Sequence, residues 1–287
     1  MNGSGIIDIS IPQLALAFLY AVAVILIVWW MGIPRERQIV VSSLRMTIQL
    51  IIAGYILVYL FDYSSVWLVL LILAVMESFA IINAIRRTNL VLSPAIKRII
   101  AVAIPVGTLI ALGFFLFVVV GGGAWKDPRY VVPLAGMIVG NAMTGVSLGA
   151  NRLVDGMRTQ RAAVETALML GATPQVAARQ VVRNAFDAAI LPTINSMVGI
   201  GIVSLPGMMT GQILAGVSPL IAIKYQIAIM LGIMGSVSFS VLIFVEWGYR
   251  TFFNAEAQLL ADMPQPREIA DRRTRPANGR LRTWARR

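Results

Sequence analysis

The sequence predicts an all-helical polytopic membrane protein, and three observations carry that prediction. Its 287 residues are 58% hydrophobic and only 13% charged, with a mean hydropathy of +0.81. Apolar runs of about 20 residues recur along the chain, and 20 residues of helix span roughly 30 Å, the thickness of a bilayer's hydrocarbon core. The polar stretches between those runs are too short for a soluble domain. Residues 1–262 therefore read as one membrane domain, and 263–287 as a disordered, arginine-rich cytoplasmic tail. No internal repeat is visible.

The elements follow in order. Residues 1–11 carry Asp8 as their only charge and lack the basic start of a signal peptide. A first span, 12–31, ends on Trp29 and Trp30, which favour the interface. Spans 39–61 and 66–85 follow, separated by a turn holding Asp62. A basic loop with Arg86, Arg87, Lys97 and Arg98 leads to a span at 99–120. After Gly121-Gly122-Gly123 comes a fifth at 130–150. The sixth, 190–216, contains Pro206-Gly207, a pair expected to break it. The seventh covers 219–246.

Seven spans leave the termini on opposite sides. With the N-terminus outside, 20 of the 24 lysines and arginines fall in cytoplasmic segments, and only Lys126 and Arg129 fall outside. That asymmetry predicts N-out and C-in. It also accounts for the net charge of +11 by membrane orientation rather than nucleic acid.

Residues 157–188 are amphipathic rather than apolar and lie on the cytoplasmic side in this topology. Gly171 can close one helix in a left-handed conformation, Thr173 can cap the next, and Pro174 fits its first turn. Two short helices joined at a corner are expected to protrude there. The chain has no cysteine and no histidine, which excludes disulfides, thiolate and imidazole metal ligands, and Ser-His or Cys-His catalysis within it. Its three lysines, Lys97, Lys126 and Lys224, do not follow a glycine, so a phosphate-cradling P-loop is missing. The chain is not expected to be an enzyme and has no cofactor of its own. If ATP drives it, ATP and Mg are bound by a separate ATPase subunit docking on 157–188.

Some polar groups lie within spans, where a charge is costly by about 2.5–3.5 kcal/mol. Arg45 and Glu77 are at matching depths and can pair, with Gln49 one turn beyond Arg45 extending the network. The pair reads either as helix packing or as a cation-facing carboxylate released in one state of a cycle. Met208, Met209 and Gln212 follow Pro206-Gly207; thioethers suit soft cations, but methionine is also adaptable packing. Asn141, a candidate pathway residue, reads with Thr144, Asn195 and Ser196 chiefly as interhelical hydrogen bonding. Lys224 is near the outer interface and can snorkel. No metal ligand set is assigned.

Glu165-Thr166-Ala167, with Gly171 six residues after Glu165, resembles the E-A-A-x-x-x-G signature of ABC permeases. Thr166 stands where that signature has alanine, and Ile190-Leu191-Pro192 falls about twice as far downstream as its I-x-LP. An amphipathic hairpin lying on the membrane surface is the alternative. The run from Ser204 to Gly216, SLPGMMTGQILAG, together with Gly140-Asn141-Ala142-Met143 and Ala167 to Thr173, resembles the FetB-type iron-export permeases, a family that includes plant aluminium-tolerance half-transporters. The resemblance covers residues 38–258. It implies an ABC exporter permease in the bacterial inner membrane, paired as a homodimer and coupled to its ATPase through Glu165, Gly171, Ala172, Thr173 and Pro174. An ion-gradient-driven carrier using Glu77, or a scaffold without substrate, are the other readings of the residues.

Overall fold

The computed structural model describes residues 9–63, 65–88, 92–121, 123, 125 and 127–260. Asp8, Gly122, Lys126 and the 263–287 tail lie outside the described residues.

The regular structure among the described residues is helical: α1 (Ile11–Trp30), α2 (Glu36–Asp62), α3 (Val66–Arg87), α4 (Pro94–Phe114) running into a π turn at Phe115–Val119, α5 (Pro128–Thr159), α6 (Arg161–Met169), α7 (Pro174–Gly199), α8 (Gly207–Leu214) and α9 (Pro219–Gly248), which ends in a 3-10 turn at Tyr249–Phe252. Several starts repeat one device, a polar residue followed by proline. Ser93 Oγ accepts from Ile96 N at 3.3 Å before Pro94, and Asp127 Oδ1 accepts from Arg129 N at 2.9 Å before Pro128. Proline's fixed φ and missing N–H suit a first helical position, where the amide has no partner in the helix.

Six helices among the described residues are long and apolar enough to cross a membrane: α1, α2, α3, α4 with its π turn, α5, and α9 with its 3-10 turn. The expected sixth span has a different form. α7 begins at the corner, runs unbroken through a polar first half bearing Arg179, Arg183 and Asp187, and stops at Gly199. The break thus falls before Pro206-Gly207, and Pro206 opens α8 instead of interrupting a helix. Gly201, at φ +89°, makes the turn after α7, where Val203 N and Ser204 N both donate to Gly199 O. The expected pair of short helices is likewise corrected. Residues 157–159 complete α5, α6 alone is short, and the second arm is the start of the 26-residue α7.

The core lies among α4, α5, α7 and α9, with α3 packed on α4 and α5. Small residues let these backbones approach, as packing without a water-driven hydrophobic force requires. A Cβ on Gly107 of α4 would lie 2.7 Å from Ser240 Cα of α9, and one on Gly156 of α5 would lie 2.7 Å from Val181 Cγ1 of α7. Gly149 likewise faces Ala189 at 3.5 Å, so α5 and α7 run antiparallel. α1 buries no residue and α2 only Leu60, so both stand at the edge of the bundle.

Candidate functional site

The corner between α6 and α7 is built by its own sequence. α6 closes in a two-bond cap: Gly171 N donates to Leu168 O at 2.9 Å and Ala172 N to Ala167 O at 3.0 Å, with Gly171 at φ +86°. This is the Schellman arrangement, which glycine adopts without steric penalty. Thr173 Oγ1 accepts from Val176 N at 3.4 Å and Pro174 opens α7. Val164 is buried beneath α6, and Arg161 Nε donates to Glu165 Oε1 at 2.8 Å along it, so Glu165 is engaged within its own helix. Met169 and Leu170, at the tip, are 85% and 83% exposed. A rigid, capped corner therefore presents two large apolar side chains outward.

The expected Arg45–Glu77 pair is not formed. Arg45 lies over the ring of Phe79 at 5.1 Å, while Glu77 accepts from Thr108 Oγ1 on α4. Two residues along a helix turn about 200°, so Glu77 and Phe79 leave α3 on opposite sides, one toward α4 and the other toward α2. Gln49 is exposed on α2 and extends no network. Thr108 also approaches Ile104 O and Pro105 O at 2.9 and 3.1 Å but has a single hydrogen, so these contacts compete. The second carboxylate oxygen of Glu77 is buried without a partner.

A cavity of about 390 Å³ lies where α7 ends, with polar lining from Asn141 of α5, Thr193, Asn195 and Ser196 of α7 and Ser204 of the following turn, and apolar lining from Ile200, Pro206, and Met230 and Ile233 of α9. At 1.5 Å per residue, Asn141 is roughly 20 Å along α5 from Pro128, and Met230 roughly 17 Å along α9 from Pro219. The cavity is thus close to halfway through the bundle. The remaining pathway candidates lie apart from it. Met209 is buried, Met208 packs against the core, and Gln212 holds a buried, unpartnered amide oxygen, all on α8. Thr193 and Ser204 were not singled out by sequence; the signal was three polar residues within four positions just before Gly199-Ile200-Gly201.

This architecture defines an integral membrane protein whose capped, exposed α6–α7 corner is joined by a single helix to a cavity at mid-bundle depth. The chain belongs to the uncharacterised protein family UPF0014, which matches residues 11–253. It is 38% identical over 241 residues to the UPF0014 membrane protein slr1647 of Synechocystis, covering 83% of this chain and 92% of that one. To the "Probable iron export permease protein FetB" of Escherichia coli it is 36% identical over 253 residues, 88% and 96% of the two chains. To the protein ALUMINUM SENSITIVE 3 of Arabidopsis thaliana it is 34% identical over 245 residues, 85% and 88%. No solved structure matches significantly. With apolar helices and bacterial relatives of this kind, it is an integral inner-membrane protein.

Proposed function

We propose that the chain is the permease subunit of an ABC exporter, working as a homodimer with a separate ATPase that binds ATP and Mg, and that it carries iron or a related metal. The observation that carries this reading is the corner. Met169 and Leu170 stand exposed on a turn fixed by two backbone bonds and a threonine cap, a form suited to seating in a groove of another protein. The cargo class is suggested by the printed name of the Escherichia coli relative. In this reading the corner and C-terminus are cytoplasmic, in keeping with the distribution of lysine and arginine. A second copy would cover the sparsely packed α1 and α2 and the exposed α7–α8 turn, because open backbone at membrane depth needs protein or water against it.

Closure of the ATPase pair would draw two such corners together and swing α5 and α7. Deleting 171–174 is expected to abolish stimulation of the ATPase without preventing membrane insertion. Survival of stimulation rejects the coupling role. A second reading, a carrier driven by a proton or sodium gradient, is favoured by the unpartnered oxygen of Glu77. It requires flux that persists without nucleotide.

A further inference from the structure

We propose that the cavity at the end of α7 is the binding site for the transported solute, and that it takes a cation preferring oxygen ligands. The assignment rests on the permease reading and adds where cargo sits and which atoms hold it.

The cavity lies about midway along α5 and α9, the depth at which an alternating-access carrier holds its solute between two openings. Beside the apolar Ile200, Pro206 and Ile233, its polar atoms are biased toward electron pairs. Asn141 Nδ2 donates to Met137 O at 2.7 Å; a carbonyl has no hydrogen to give, so the nitrogen must face Met137 and Oδ1 is left for the cavity. Ser196 Oγ spends its only hydrogen on Pro192 O at 2.9 Å and keeps its lone pairs. Thr193, 8% exposed, has no partner for its hydroxyl, and neither do Asn195 or Ser204 for their side chains. Asn141, Asn195, Ser196 and Ser204 are exposed around Thr193, so the set offers oxygen to a cation from one open side.

The backbone adds to that bias. α7 stops at Gly199, and the amides that turn back, Val203 N and Ser204 N, both reach Gly199 O. The helix end that lines the cavity, at Ser196 and Gly199, is the negative end of the α7 dipole. No carboxylate or ammonium lines the cavity, so its field comes from neutral dipoles, that of the α7 end among them. Met230 supplies a single thioether among several oxygens, a ratio that suits Mn(II) or Fe(II) better than Cu(I). Among the described residues no three His, Cys, Asp or Glu converge elsewhere. Neutral oxygens also fit a carrier's needs, since a cargo site has to release what it binds.

The test uses the full chain purified alone, with Mn(II) as the probe and its binding followed by electron paramagnetic resonance. Asn141→Leu and Asn195→Leu are each expected to weaken binding by about tenfold or more. Asn195→Asp, which keeps the shape and adds a negative charge, is expected to tighten it by about tenfold, a result loss of fold cannot mimic. Ser78→Ala, on an exposed face of α3, leaves it unchanged. Unaltered binding in both leucine variants, weaker binding in Asn195→Asp, or wild type that takes Ag(I) but not Mn(II) overturns the site. The permease reading is judged separately, by ATPase stimulation in corner variants, so either can fail without the other.

Discussion

Single residues decide two questions in this chain. The first is where the intramembrane charges go. Since Arg45 lies on Phe79 and Glu77 faces Thr108, a double-mutant cycle between Arg45→Leu and Glu77→Gln is expected to be additive within about 0.5 kcal/mol in reversible unfolding. The cycle between Glu77→Gln and Thr108→Val is expected to show coupling of about 0.6 kcal/mol or more. The second is what holds the corner. Thr173→Ala removes the hydroxyl that caps α7 and is expected to lower stability by about 1 kcal/mol. Gly171→Ala forces a side chain into φ +86° and should cost about 1–2 kcal/mol. The corner was legible in the sequence because glycine, threonine and proline act locally. The Arg45–Glu77 pairing was misread because matching depth does not fix the direction in which a side chain leaves its helix.

Among the elements, α7 is the connecting one. It runs from Pro174 at the corner to Gly199 at the cavity without a break, about 39 Å at the rise of an α-helix. It is clamped to α5 where Gly156 meets Val181 and Gly149 meets Ala189. In the proposed mechanism this helix would carry displacement from one end to the other, with Pro192, which removes one of its backbone hydrogen bonds, as its weakest point. Replacing Gln180 and Asn184, whose side chains bond each other on its outer face, with glycine would soften it by roughly 1 kcal/mol per site. The expected result is loss of cation-stimulated ATP hydrolysis, with Mn(II) binding and ATPase docking both kept. Persistence of that stimulation would mean the signal travels through α5 or α9. Hydropathy alone could not reveal this helix. Its first half carries Arg179, Arg183 and Asp187, so the run reads as a short amphipathic helix followed by a separate span beginning at residue 190. The break was displaced for a related reason: Pro206 looks like an interruption in sequence, yet proline is equally at home at the start of α8.

At the scale of the whole molecule, the bundle joins a tight four-helix core to two thinly packed helices, a division that composition could not disclose because every span is apolar. The core depends on close backbones. Gly107→Val, at the crossing of α4 and α9, is expected to lower stability by about 1–3 kcal/mol, read as a fall in the detergent unfolding midpoint. The proposed mechanism takes in work done elsewhere at the corner and delivers it to the cavity through α7. Its most direct test is ATP hydrolysis by the partner ATPase, measured with the reconstituted full-length chain carrying Met169→Asp and Leu170→Asp together. The account predicts that stimulation of the ATPase disappears while the variant inserts and binds Mn(II) as wild type does. Stimulation at the wild-type level in that variant would contradict it.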